Sequence, residues 1–365
     1  MIVGVLGGGQ LARMLALSGV PLGLDFQFLD PAPDACAFSL GKPLIGGYGD
    51  TALLEKMAAE VQAATYEFEN VSLQAVRFLA QRIPLHPTPD ILEIKQDRLL
   101  ERRLFQELKI PTPDFLAVQT EQDLERAAEQ FGFPFVLKTR SLGYDGKGVW
   151  VLQDKDGLKN LPERFVSSPV LAEQFIPFER EVSMIAARNP EGQIVYYPLV
   201  ENTHKQGILI QSIVRPNDPV ASTAETYLQR ILTHFRYIGV LAVEFFQVQG
   251  RLIANEMAPR VHNTGHWTIE GAPTSQFENH LRALLGFPLG ITASSAPTAM
   301  LNCIGNLPDR RAVLEIPDAH FHMYGKKPRP GRKVGHITLR AEDERRLGEK
   351  IRKVRQLLAD SSAFV

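Results

Sequence analysis

The sequence predicts an α/β protein in three parts: an N-terminal doubly wound parallel sheet, a small central subdomain, and a larger C-terminal antiparallel sheet with helices. Three observations carry that expectation. Short apolar runs alternate with helically spaced segments over residues 1–93, and a glycine-rich loop, RSLGYDGKG, separates two short apolar runs within 94–172. Longer alternating runs then fill 173–365. At 365 residues the chain exceeds one compact core, in keeping with divisions at 93/94 and 172/173.

Taken in order, Ile2 to Leu6 is a continuous apolar run that stops at Gly7-Gly8-Gly9 and is followed by QLARMLALSG, so it reads as strand, tight turn and helix. Phe26 to Leu29 is a second strand, closed by Asp30, and Ala64 to Phe68 a third that ends among Glu67 and Glu69. Pro84, Pro87 and Pro89 mark the exit from this sheet. Ile94 to Leu108 reads as one charged amphipathic helix and Glu121 to Phe131 as another. Phe135 to Lys138 and Val149 to Leu152 form a hairpin-like pair around the glycine-rich loop. Further strands are expected at Glu181 to Ala187, Ile194 to Leu199, Val240 to Val248 and Arg251 to Met257, with a helix near Glu225 to Tyr237. Ala341 to Leu358 ends the chain as a helix whose alternating charges read as a solvated face.

Forty Lys+Arg against 41 Asp+Glu leave a net charge of -1, so no global field favours nucleic acid or an anionic membrane, and any anion must be held locally. Cys36 and Cys303 are too few for a disulfide framework and fit a reducing compartment as small buried hydrophobes. MIVGVLGGGQ lacks the basic start and cleavage site of a signal peptide, and a cytoplasmic location is expected.

Gly7, Gly9 and Ala12 fit a dinucleotide fingerprint after a strand, with Asp30 at the place of a ribose-binding acid. The same turn can present N–H groups to another phosphate or serve only close packing, so both readings stay open here. The loop Gly143-Tyr144-Asp145-Gly146-Lys147-Gly148 lets backbone N–H groups approach a polyphosphate, with Lys138 and Lys147 as cations and the glycines as hinges of a lid. Glu244 and Glu256 interrupt apolar strands of a hairpin, where unpaired carboxylates are costly. A three-residue turn, Val248-Gln249-Gly250, would place Glu244 opposite Ala254 and diagonal to Glu256 on one face, whereas a two-residue turn would separate them. Oxygen ligands beside a phosphate point to magnesium; the alternative is one carboxylate paired with an arginine such as Arg260. Arg260, His262 and Asn263 crowd the stretch beyond this hairpin and suit a planar acid or phosphate, while Lys326, Lys327, Arg329, Arg332 and Lys333 form a local anion trap.

Together these segments resemble the ATP-grasp superfamily and, within it, the 5-(carboxyamino)imidazole ribonucleotide synthases of purine biosynthesis. GGGQLARM, RSLGYDGKG, EQFIPFEREVS, ENTHKQGI, NEMAPRVHNTGHWTIEG and GKKPRPGRKVGH look like that family's signatures in its order, from Gly7 to His336. The resemblance implies a soluble carbon–nitrogen ligase in which ATP, bicarbonate and 5-aminoimidazole ribonucleotide yield the N-carboxylated product, ADP and phosphate through carboxyphosphate. It places Arg98, Lys138, the loop from Gly143 to Gly148, Glu181, His204, Asn255 and Glu256 around ATP, with Glu173, Gln174, Phe175 and Ile176 as the adenine-side hinge. Magnesium falls to Glu244 and Glu256. Asp145, Arg260, His262, Asn263, Lys326 and Arg332, together with Gly9 and Gln10, fall on the ribonucleotide and carboxylating side, with His262 or Asp145 as the proton acceptor. A homodimer is implied as well. Leu142 departs from the family, which has glycine there, and implies a stiffer lid. Another ATP-grasp ligase, or an NAD(P)-dependent oxidoreductase built on the N-terminal fingerprint, are the rival readings.

Overall fold

The computed structural model describes residues 1–141, 143, 148–162, 165 and 168–362. Tyr144, Asp145, Gly146 and Lys147, expected at the lid tip, lie outside the described residues, as does Leu142. Three sheets build the described chain. β1 (Ile2–Leu6), β2 (Asp25–Asp30), β3 (Lys42–Ile45) and β4 (Ala63–Tyr66) form a parallel sheet in the order β3-β2-β1-β4. β1, β2 and β4 are buried over nearly their whole length, as expected of a parallel sheet, while the edge strand β3 is largely exposed. The helix after β1, α1 (Gln10–Gly19), has no capping side chain of its own.

The expected single helix from Ile94 to Leu108 is instead two, α4 (Pro89–Lys95) and α5 (Arg98–Glu107). Asp97 causes the break: its extended backbone starts a new helix, and its carboxylate accepts the N–H of Leu99 at 2.9 Å. The central sheet follows the order β5-β8-β6-β7, formed by β5 (Phe115–Val118), β6 (Phe135–Thr139), β7 (Val149–Leu152) and β8 (Val170–Gln174), all antiparallel. The division expected at 172/173 therefore falls inside β8. Helix α6 (Glu121–Phe131) covers this sheet and starts with a reciprocal capping box between Thr120 and Asp123. The central sheet has a small core of its own, including Val118, Phe135, Leu137 and Ala172.

A nine-stranded antiparallel sheet forms the rest. The run expected as one strand, Ile194 to Leu199, divides into β10 (Ile194–Tyr196) and β11 (Leu199–Lys205), which pair in succession with the same edge of β9 (Arg180–Arg188) and are separated by a one-residue slip at Tyr197-Pro198. The sheet also contains β12 (Ile208–Arg215), β13 (Gly239–Val248), β14 (Arg251–Ala258), β15 (Thr298–Ile304), β16 (Ala319–Met323) and β17 (Lys333–Arg340). The helix expected near Glu225 to Tyr237 runs from Ala221 to His234, and the terminal helix from Glu344 to Ser362. The N-terminal domain and the large sheet share one core, in which Met14, Leu15 and Phe26 join Phe277, Leu281 and Leu284.

Candidate active site

The site is a cleft of about 1000 Å³ between the central sheet, the large sheet and the N-terminal domain. Its floor is the β13–β14 hairpin, where the geometry differs instructively from the expectation. The turn has two residues, Gln249 and Gly250, both at positive φ, and Val248 pairs with Arg251. That register alone would send the two glutamates to opposite faces. A β-bulge between Glu244 and Phe245 absorbs Asn255 as an unpaired residue and places Glu244 directly opposite Glu256. The carboxylates share a face, as expected, through a bulge and not through a three-residue turn.

Their surroundings tilt the two carboxyls apart. Burial, followed by the neighbouring Glu256 charge, pushes Glu244 up to about 7. Burial also opposes the Glu256 charge, but Lys95, Arg98, His262 and Lys138 outweigh it and hold that carboxyl below the usual range. Lys95 Nζ lies 3.3 Å from Glu256, which remains 40% open to the cleft. Two carboxylates opposed on one face and open to the cleft fit a hard divalent cation.

Lys138 stands across the cleft at the end of β6. Its ammonium group donates to Asn255 Oδ1 at 3.1 Å and pairs with Glu173 Oε2 at 2.8 Å. Glu173 is 2% exposed and also accepts from Arg102 Nε at 2.8 Å. Burial works against its charge, yet the Arg102 and Lys138 cations hold its carboxyl down at about 2. The Glu173 side chain is thus an internal counter-ion, so a hinge contribution from this position has to come from its backbone. Gln174, Phe175 and Ile176 line the cleft beyond it. Arg98, at the start of α5, donates to the Thr139 carbonyl at 2.6 Å and lies against the Gly143 backbone, where a Cβ would meet its guanidinium at 2.4 Å. Gly148 at the other end of the loop has a φ of +75°, and a Cβ there would sit 2.3 Å from Thr139 Oγ1.

Glu181 of β9 hydrogen-bonds His204 of β11 on the same wall. Burial opposes protonation of His204, but Glu181 and Glu244 outweigh it and raise the imidazole. At the far end Arg260 pairs with Glu69 at 2.9 Å, and His262 Nε2 lies 3.5 Å from Glu244. Burial first, then the Arg260 charge, keeps His262 neutral well below the usual histidine range. Asn263 lines the cleft beside it.

The N-terminal glycine turn has a different occupant from the one its pattern suggested. The N–H of Gly9 and that of Ala12, the latter at 2.9 Å, donate to the Glu67 carboxylate, and the Gly8 N–H donates to Asp30 at 2.8 Å. An internal carboxylate therefore caps α1 where a pyrophosphate would have to lie, and a Cβ at Gly9 would meet Glu67 Oε1 at 2.6 Å. The dinucleotide reading fails on this geometry. Gln10 enters the cleft and its amide oxygen accepts from Lys326, so these two expected residues are together. Arg332 donates to the Lys327 carbonyl at 3.2 Å, and its neighbour Lys333 reaches the cleft wall.

Residues 103–277 match the ATP-grasp domain, residues 1–96 the ribonucleotide synthetase preATP-grasp domain, and residues 298–350 the phosphoribosylaminoimidazole carboxylase C-terminal domain. The N5-carboxyaminoimidazole ribonucleotide synthase of Pseudomonas aeruginosa is 51% identical over 98% of this chain and 99% of its own. The chain belongs to the N5-carboxyaminoimidazole ribonucleotide synthases of the ATP-grasp superfamily. The crystal structure of the synthetase from Thermus thermophilus has a TM-score of 0.93 at 47% identity, covering 97% of this chain and 98% of that one. The synthase from Aspergillus clavatus, solved with ADP and 5-aminoimidazole ribonucleotide, has a TM-score of 0.91 at 28% identity over 98% of both chains.

Sequence reasoning for this synthase missed a chain of buried charges beneath the cleft. Lys95 bridges Glu256 and Glu101, the latter at 3.1 Å; Glu101 accepts the Met257 N–H at 2.8 Å; and Arg102 connects Glu101 to Glu173. Glu101 and Arg102 are each 1% exposed, although their helix reads as a charged surface. Phe178 and Phe246, stacked with centroids 4.7 Å apart, form an apolar wall that was also missed. Their signal was faint: each stands in an apolar stretch, Phe178 after Ile176-Pro177 and Phe246 after Phe245, where a core role reads equally well.

Proposed function

We infer that this chain uses ATP and bicarbonate to carboxylate 5-aminoimidazole ribonucleotide, releasing ADP and phosphate, as an ATP-grasp ligase of purine biosynthesis. The observation that carries the reading is Glu244 opposite Glu256 across a bulge, with Lys138 facing them from the central sheet. The nucleotide lies in the cleft with its base toward Phe178 and Phe246 and its phosphates toward Lys138 and Arg98. Glu244 and Glu256 would hold magnesium, which when bound would supply positive charge to screen the phosphates.

Bicarbonate attacks the γ-phosphorus, ADP departs, and carboxyphosphate results. The exocyclic amine then attacks its carboxyl carbon, phosphate leaves, and the amine gives up a proton. Arg98 and Lys138 neutralise charge as it moves between phosphates, so catalysis is chiefly positioning and electrostatics. His262, whose Nε2 faces the cleft 3.5 Å from Glu244, is the imidazole placed to take the amine proton. Arg260, Gln10, Lys326 and Arg332 serve the ribonucleotide side, where cations meet its phosphate. Three domains, with the hinge after β8, a homodimeric assembly and a cytoplasmic location belong to the same reading.

An ADP-release assay with each substrate omitted in turn tests it. ADP release should depend on both bicarbonate and aminoimidazole ribonucleotide. Stimulation that persists without bicarbonate would point to a different acid.

A further inference from the structure

His262 and Asn263 lie in an irregular segment after β14, where backbone pairing with a neighbouring strand no longer fixes the chain. Two buried amide side chains take over that work. Gln276 is fully buried; its Oε1 accepts the His262 N–H at 2.9 Å, and its Nε2 donates to the His262 carbonyl at 2.6 Å. His262 has extended backbone angles, φ −124° and ψ 151°, so one amide satisfies both its backbone groups much as a partner strand would. Gln276 is itself held. Its N–H donates to Thr268 Oγ1 at 3.0 Å, and that hydroxyl donates to the Gly265 carbonyl at 2.6 Å. Gln276 begins the helix Gln276–Leu284, which is anchored in the shared core through Phe277 and Leu281.

Asn302, 3% exposed on β15, treats the next residue in the same way. The amides of Asn263 and Asn302 exchange two hydrogen bonds, at 3.1 and 2.7 Å. The second N–H of Asn302 donates to the Leu209 carbonyl at 2.9 Å. A carbonyl accepts only a donor, so Leu209 fixes which way the Asn302 amide faces, and Asn302 fixes Asn263. One N–H of Asn263 then remains for the cleft that its side chain lines.

We propose that Gln276 and Asn302 are positioning residues for the carboxyl-transfer end of the site, holding His262 and Asn263 without touching substrate. The proposal rests on the functional reading above. It separates two steps: γ-phosphate attack, served by Lys138 and the glutamates, and capture of the carboxyl by the amine, served by the segment these amides hold. Loosening the second while sparing the first lets the activated acid be lost to water.

Gln276→Met and Asn302→Ser, checked for folding by circular dichroism and melting, test this by counting carboxylated product per ADP. The product-forming rate should fall by about tenfold or more, with product per ADP dropping below the wild-type ratio and the KM for ATP staying within about twofold. Folded variants with wild-type rates and wild-type product per ADP would overturn the proposal. Crystals of the wild type with ADP and aminoimidazole ribonucleotide give a second test, needed should neither variant fold. The four hydrogen bonds from these amides to His262 and Asn263 should persist, and release of His262 or Asn263, or an amide turned onto substrate, refutes the assignment. A wild-type enzyme whose ADP release ignores bicarbonate contradicts the underlying reading and removes the inference with it.

Discussion

At the scale of single residues the site is organised by unequal treatment of like groups. Glu244 and Glu256 face each other, yet Glu244 is raised by burial and its neighbour while Glu256 is held charged by Lys95, Arg98, His262 and Lys138. Such a pair is poised for a cation, and loss of either charge should show first in metal dependence. Glu256→Gln should lower ATP turnover by about a hundredfold and shift the magnesium requirement upward, read as ADP release against magnesium concentration. Full turnover at ordinary magnesium would remove Glu256 from the metal assignment. Arg102 follows a different rule. Its guanidinium is buried between Glu101 and Glu173, so Arg102→Leu leaves two buried carboxylates short of a partner and should destabilise the fold by about 3–5 kcal/mol in denaturant titration.

At the scale of elements, the strands and helices with clean periodicity were legible, and the departures have identifiable causes. Glu121 to Phe131 appears as read because its Thr120 cap and Asp123 sit at capping-box spacing. Ile94 to Leu108 divides because Asp97 competes for its own backbone, which hydrophobic spacing does not register. Ile194 to Leu199 divides because its pairing with β9 slips by one residue at Tyr197-Pro198, where proline has no N–H to give the ladder. The acidic pair was found for a correct reason through an incorrect turn: the extra residue lies at Asn255, since a bulge leaves no mark in alternation. β15, β16 and β17 were not read at all. Deleting Asn255 should therefore restore regular pairing with Glu244 still opposite Glu256, so magnesium-dependent ADP release should persist, lowered by about tenfold through loss of the Lys138 contact to Asn255. Complete loss of ADP release in a folded deletion variant would mean that the bulge itself, and not the register alone, sets the pair.

At the scale of the molecule, the N-terminal domain and the large sheet share a common core, while the central sheet has its own core and meets the rest through polar and charged contacts, Arg102 with Glu173, Arg140 with Asp97 and Lys138 with Asn255. One inter-domain contact is sensitive to pH. His280 accepts the Val240 N–H at 3.1 Å and bonds Thr65 at 2.9 Å, and burial, with a smaller effect of His86, lowers it from 6.5 to about 4. The folded protein holds this imidazole neutral, so its contribution is intact above pH 6.5, declines as pH falls and is gone near pH 4. The loss amounts to about 3 kcal/mol, and His280→Gln should flatten that part of the stability profile in denaturant titrations between these limits. An unchanged slope in the variant would assign the pH dependence elsewhere. None of this was visible in the sequence, because residues 65 and 280 are joined only by the packing of two domains.

The central claim is that the hairpin carboxylates hold a divalent ion against the terminal phosphates of ATP. Anomalous diffraction from crystals grown with manganese and a non-hydrolysable ATP analogue tests it most directly. The predicted result is a manganese peak within about 2.5 Å of oxygens of both Glu244 and Glu256, bridged to the analogue's phosphates. Manganese bound elsewhere, with both carboxylates unliganded, would contradict the account.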